Sequence, residues 1–342
     1  MSHEMTALDQ MYSVRIAPWH IGHGTNVVML DTAPDSRPER MACAGHDFIV
    51  EKHDIYKRTR INADVFEPDA PAYEITPIDG WNMLTRDDSQ DVLHVAKDTY
   101  VVVQNDVGHE IFEALSEGAR LDDGTGGTVK NGAMCYLSAR IDEEYMVKGD
   151  NSPIMPYIVV TWTHDGTGAF QARATTVRVV CWNTLSMSEM QAKASGRNFT
   201  FRHTKNIMDR IDDAKAVIAG AREDTLKFIE LGNELAAIAI TNSIREQFVE
   251  WFIPMPESKF VISDRVLDNI LDARNNLRNI FDSPTMPDEH RNTAYGLMQA
   301  GIEYLDHIRS FRSHSTYLGR TLLRDEPMKK KLVPMIRELV KA

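Results

Sequence analysis

The chain has 342 residues, of which 43% are hydrophobic and 26% charged, a globular composition with enough apolar material for a sizeable core. No run of about 18 apolar residues occurs, which excludes an ordinary transmembrane helix, and the N-terminus lacks the basic-then-apolar order of a signal peptide, so a soluble cytoplasmic protein with no membrane partner is expected. The net charge of −12 is uneven: residues 1–124 carry −13, residues 125–205 carry +3 and residues 206–342 carry −2, which makes the middle segment the expected place for a basic surface.

In chain order, the stretch to Pro77 reads as irregular. Pro34, Pro38, Pro68, Pro71 and Pro77 punctuate it, and Thr32–Arg40 has the composition of a loop. Ala42–Val50 reads as a short helix and turn entering a strand. Val92–Lys97 and Thr99–Val103 read as short strands. Val107–Ser116 reads as a helix with Val107, Ile111, Phe112 and Leu115 on one stripe and Asp106 as its N-cap. Gly124–Gly127 reads as a bend, followed by a strand at Ala133–Ile141, a polar turn at Asp142–Glu144 and a short extended piece at Tyr145–Lys148.

Tyr157–Leu185 carries the clearest local signal. Two β-rich runs flank His164-Asp165-Gly166, and an Asp-Gly turn between alternating runs is a strong hairpin signature. A third run, Thr176–Val180, breaks into Asn183-Thr184. These connections are too short for crossover helices, so a mostly antiparallel meander is expected. Leu185–Ala194 reads as a helix ended by Gly196.

Beyond Arg202 the pattern becomes helical. Ile207, Ile211, Ala214, Ile218 and Ala221 mark a helix running past Gly220 towards Glu234. Ala236–Phe252 reads as a second helix stopped by Pro254 and Pro256. Ser263 caps a third, with Val266, Leu267, Ile270, Leu271, Leu277 and Phe281 on one side. Ser283–Pro287 is a stop, a long helix follows near Asn292–Phe311, and Pro327–Val340 is the last. The expected fold is α+β: a mostly antiparallel sheet with packed helices in residues 1–204, then a helical region in residues 205–342.

Catalytic and metal signatures are weak. Gly124-Thr125-Gly126-Gly127 lacks the Gly-Lys-Ser/Thr of a phosphate loop. His20 and His23 have no companion ligands for zinc. Cys43, Cys135 and Cys181 form no CxxC pair and read as ordinary thiols. Ser186 and Ser188 have no nucleophile elbow. No catalytic residue, metal or cofactor is therefore assigned, and an enzyme using His164, Asp165 and His203 around a metal or a nucleotide ranks last. The better candidates are cations with aromatic neighbours: Arg173 and Arg178 on or beside strands, then Arg197, Phe201, Arg202, His203 and Lys205 in the run RNFTFRHTK. Such a set suits single-stranded nucleic acid, whose phosphates pair with cations and whose bases stack on rings.

Several blocks together resemble a known family. They are Ala17-Pro18-Trp19-His20, Tyr100 with Gln104-Asn105, His164-Asp165-Gly166, Val177-Arg178-Val179-Val180-Cys181-x-Asn183-Thr184-Leu185 and Arg202-His203-Thr204. Asn292-Thr293-Ala294-Tyr295, Glu303-Tyr304-x-Asp306-His307 and Ser315–Arg320 extend the likeness towards the C-terminus. The pattern is similar to the phage/plasmid-like proteins grouped as domain of unknown function 932, although Trp182 stands where many relatives have Gln or Asn. The resemblance implies a mobile-element setting and no particular reaction. The element order also looks like that of phage single-strand-annealing proteins, a fold-level analogy. The leading expectation is a homo-oligomeric protein that binds single-stranded DNA and promotes annealing or recombination. The alternative is an oligomeric inhibitor or decoy that meets a host or phage protein through its acidic N-terminal region.

Overall fold

The computed structural model describes residues 10–14, 27–60, 73–116, 121–141, 143–166, 170–178, 183–185, 199–201, 211–256, 263–309 and 326–341. The strands are β1 Met11–Ser13, β2 Val27–Met29, β3 Val50–Arg60, β4 Tyr73–Arg86, β5 Val92–Lys97, β6 Leu121–Val129, β7 Met134–Ile141, β8 Ile154–Thr163, β9 Phe170–Arg178, β10 Asn183–Leu185 and β11 Phe199–Phe201. The helices are α1 Arg37–Ala44, α2 Asn105–Ser116, α3 Ile211–Ala236, α4 Asn242–Phe252, α5 Asp264–Ile280, α6 Ala294–Glu303 and α7 Pro327–Leu339, with a π-helical turn at Tyr304–Ile308 after α6. The fold is α+β, and its C-terminal part is helical.

One sheet has the order β10-β9-β8-β7-β6-β1-β2, with β11 also on β9. It is antiparallel except for the β1–β2 pair. A second antiparallel sheet has the order β3-β4-β5. The β8–β9 pairing, from Thr161 opposite Gln171 to Ile154 opposite Arg178, follows the expected hairpin, and Gly166 has φ +66°. Thr176–Arg178 continues β9 rather than starting a third strand, and β10 folds back on it. Tyr145 makes only an isolated bridge to Ile154.

Two apolar clusters hold these layers. Ile158, Val160 and Trp162 of β8 and Cys135, Leu137 and Ala139 of β7 point to one side of the sheet, against Ile111, Phe112 and Leu115 of α2. The second cluster is built from Phe248, Leu277, Tyr295, Leu297, Ile336 and neighbours in the C-terminal helices, joined by Val147 and Ile154. Tyr295 Oη donates to Asp150 Oδ2 at 3.1 Å, so the helical part is also tied to the β7–β8 connection by a buried hydrogen bond.

Several local expectations change. Arg37–Ala44 is helical where Thr32–Arg40 reads as loop: Ser36 caps it by accepting from Glu39 N, and Pro38 sits in its first turn, where a missing N–H costs nothing. Asp106 lies inside α2 and accepts from Arg37 at 3.1 Å instead of capping the helix. Thr99–Val103 forms no strand, because the Gln104 side-chain amide pairs with both backbone groups of Val50, at 3.0 and 2.9 Å, as a strand would. Gly124–Gly127 lies within β6. A Cβ on Gly126 would sit 2.9 Å from Tyr12 Cε1 and one on Gly127 2.7 Å from Met11 Cγ, so these glycines let β1 close against β6 rather than bend the chain. The stretch read as Ala236–Phe252 starts as a helix only at Asn242, after an Ala239–Thr293 bridge. The helix expected from Leu185 to Ala194 falls outside the described residues except Leu185, which ends β10.

Candidate nucleic-acid interface

β3 and β4 are too polar to form a two-sided core, and their distal halves do not. At the base, Val50, Leu84, Arg86 and Ala96 are buried, and Val50, Leu84 and Ala96 join the core of the body. Beyond Asp54 the two strands continue alone as a ribbon. Ile55 faces four residues, Ile78–Trp81, at an irregularity where Gly80 takes φ +79°, a conformation that favours glycine. Past it Tyr56–Pro77, Arg58–Ile75 and Arg60–Tyr73 are directly opposed on one face, and Lys57–Thr76 and Thr59–Glu74 on the other. Opposed residues share a face, so one side of this arm carries Tyr56, Arg58, Arg60, Tyr73, Ile75 and Pro77. All six are exposed, Tyr56 by 57% and Ile75 by 67%.

The Arg58 guanidinium lies 3.6 Å from the centre of the Tyr73 ring, a cation–π contact that holds it in place without neutralising it. Among the described residues Lys57, Arg58 and Arg60 have no carboxylate partner. Several arginines on the body do: Arg37 with Glu113, Arg222 with Glu143, Arg278 with Glu246 and Arg337 with Glu234. The arm is therefore a place where positive charge and aromatic surface are offered together.

Of the residues expected to form the interface, Arg173, Arg178 and Phe201 lie in described strands, spread along β9 and β11. Arg178 ends β9 opposite Asn183, whereas Phe201 ends β11 opposite Phe170. Eight residues of strand separate those two points, about 27 Å. Arg173 faces Val159 and is only 7% exposed. It shares a polar sheet face with Ser138, Arg140, Tyr157 and Thr175, all buried, so this face is enclosed. Arg197, Arg202, His203 and Lys205 lie outside the described residues. Sequence reasoning missed Arg140 and the whole arm. The signal for the arm was the cationic run Lys57-Arg58-x-Arg60 beside Tyr56, hidden inside a segment whose net charge is −13.

Beneath the arm's base lies a buried polar chain. Arg40 Nε donates to His109 Nδ1 at 3.1 Å. Since an arginine can only donate, His109 carries its proton on Nε2 and donates to His46 Nδ1 at 2.9 Å; His46 in turn donates from Nε2 to Gly127 O at 2.9 Å. Burial pushes His46 down to about 4, and burial with the neighbouring His46 and arginines pushes His109 down as well, so both rings are neutral near pH 7. Arg40 and Arg37 both pair with Glu113. Asn105 completes the assembly: its Nδ2 donates to the carbonyls of His46 and Phe48 at 3.1 Å, and its Oδ1 accepts from Trp162 Nε1 and His164 Nε2 at 2.9 Å. His164 is thus a buried structural donor, while Asp165 lies 3.7 Å from Lys130. Among the described residues no cluster of three or more His, Cys, Asp or Glu could hold a metal, and no helix is long and apolar enough to cross a membrane.

No curated protein and no solved structure matches the chain. A family model does, described as Domain of unknown function (DUF932), over residues 92–324. The match starts at β5 and takes in α2, β6–β11 and α3–α6, so β3 and β4, and with them the arm, precede it. With the greater part of its length matched, including the Asn105 hub and the β8–β9 hairpin, the chain belongs to the DUF932 family.

Proposed function

We propose that this protein binds single-stranded DNA through the exposed face of its β3–β4 arm and promotes annealing of complementary strands without chemistry of its own, as a cytoplasmic protein of a phage or other mobile element. The observation that carries this reading is the placement of Tyr56, Arg58, Arg60 and Tyr73 on one unburied face with no carboxylate partner among the described residues. Arg58 and Arg60 neutralise phosphates and release counterions, and Tyr56 and Tyr73 offer rings to unpaired bases. Duplex offers no such base faces, so the aromatic component selects single strands. Arg178 remains a second candidate contact; the enclosed Arg173 does not meet the same need.

Fluorescence anisotropy of a labelled oligonucleotide at low and moderate salt tests the reading. The expected result is micromolar or tighter binding at low salt that weakens as salt rises. Arg58→Ala with Arg60→Ala should weaken it about tenfold or more, and Tyr56→Ala should cost about 1–3 kcal/mol. Failure of the wild-type chain to bind in low salt, or unchanged binding by the double arginine variant, would reject it.

A further inference from the structure

A second exposed surface complements the arm. Only the C-terminal half of α5 is anchored in the helical core, through Leu277 and Ile280. Its N-terminal half leaves Val266 42% and Leu271 43% exposed, with Leu267 and Ile270 only partly covered. Along this half, Leu267 and Leu271 form one line. Asp264, Asp268 and Asp272, all exposed and four residues apart, form the next line round the helix, with Asp264 and Asp268 each three residues before a leucine. Arg265 lies beyond the aspartates, on the side away from Leu267 and Leu271. The surface is therefore an apolar ridge beside an acidic one.

The arm face has the converse layout. Arg58 and Arg60 form a line on β3, beside Ile75 and Tyr73 on β4. Residues two apart in a strand are separated by about 6.8 Å, and residues four apart in a helix by about 6 Å. Two cations thus match two successive carboxylates while isoleucine and tyrosine meet the two leucines. Both surfaces are exposed within one chain, so the partner is another molecule.

We propose that, with no nucleic acid bound, the arm of one copy docks on the N-terminal half of α5 of a second copy, and that single-stranded DNA competes for the same arm face. The competition, though not the docking, rests on the function proposed above. The contact joins different patches on the two copies, so it propagates head to tail and gives a ring or a filament. It involves fewer residues than the 20–30 per side of a standard interface. Each contact is accordingly weak, and the assembly gains persistence when a ring closes and every copy makes two.

Sedimentation velocity of the full chain at low salt, across a concentration series, tests the docking. The wild type should assemble with rising concentration and dissociate as salt is raised. Leu271→Asp and Asp268→Arg should each shift the chain to monomer while keeping the wild-type thermal unfolding midpoint. Combining Asp264→Arg and Asp268→Arg with Arg58→Asp and Arg60→Asp should restore assembly by exchanging the two charges. The α5 variants should also bind a labelled oligonucleotide several-fold more tightly, because the competing surface is gone. A monomeric wild type, or α5 variants that assemble normally, would overturn the docking. Weaker oligonucleotide binding by the α5 variants would overturn the competition. If assembly responds as stated but no form binds the oligonucleotide, the docking stands and the nucleic-acid reading fails alone.

Discussion

Arginine and tyrosine occur together in two places with opposite surroundings. On β7–β9, Arg140 and Arg173 lie on a sheet face with Tyr157, buried among serine and threonine side chains. On the arm, Arg58 and Arg60 stand beside Tyr56 and Tyr73 in solvent. Enclosed groups of this kind serve the fold, since a buried polar atom must be satisfied and its loss is costly. Exposed ones contribute almost nothing to stability and are free to meet a ligand. The difference lies in what surrounds the side chains, which residue type alone does not report.

The comparison breaks most readily at the polar hub of the body. Asn105→Ala removes the acceptor of Trp162 and His164 and the donor to two buried carbonyls. The expected cost is about 3–5 kcal/mol in urea unfolding, from several unsatisfied groups at once. A loss below about 1 kcal/mol would mean that the hub is not structural.

Acid should act next, and on the same region. His46 is held at about 4 in the folded chain against 6.5 when unfolded. Between those values the unfolded chain binds more protons, so stability falls as pH drops from about 6.5 towards 4, by a loss on the order of 3 kcal/mol. His109 is displaced in the same direction. Partial burial alone would raise Glu113, but hydrogen bonds from Arg37 and Arg40 hold it below its ordinary value, so it adds a further loss as pH falls below about 4.5. Urea midpoints at pH 7, 5.5 and 4.5 measure the slope, and a flat profile would contradict the neutral histidine chain.

The smallest effects sharpen the contrast between the two arginine sites. Arg173→Ala should destabilise by about 2–3 kcal/mol, whereas Arg58→Ala should stay within about 0.5 kcal/mol of wild type in the same thermal unfolding assay. Equal effects would erase the distinction between enclosed and exposed.

Much of the body is legible in the sequence because its elements are amphipathic or carry local turn chemistry. The β8–β9 hairpin follows from Asp165-Gly166 between alternating runs, and α2, α3 and α5 from apolar residues at helical spacing. The arm is illegible for the converse reason. VEKHDIYKRTR buries little on either side, so no alternation marks it as a strand. Its charge is equally hidden, because acidic residues elsewhere in the first 124 positions outweigh Lys57, Arg58 and Arg60. Gly124–Gly127 misleads because its role depends on a distant partner strand: a glycine that bends a chain and one that admits a neighbour look alike in sequence. Thr99–Val103 has strand-forming residues, but the Gln104 side chain occupies the pairing position.

The β1–β6 pairing also sets an order of events during synthesis. Thr125 Oγ1 donates to Tyr12 O across 113 residues, and Gly126 and Gly127 receive β1 against β6. Translation proceeds at about 5–20 residues per second, so Met11 and Tyr12 leave the ribosome on the order of ten seconds before their partner strand exists. The β3–β5 hairpins need only adjacent segments and can form in that interval. β1, although made before β3–β5, is placed after them, and its apolar side chains depend on shielding until β6 emerges.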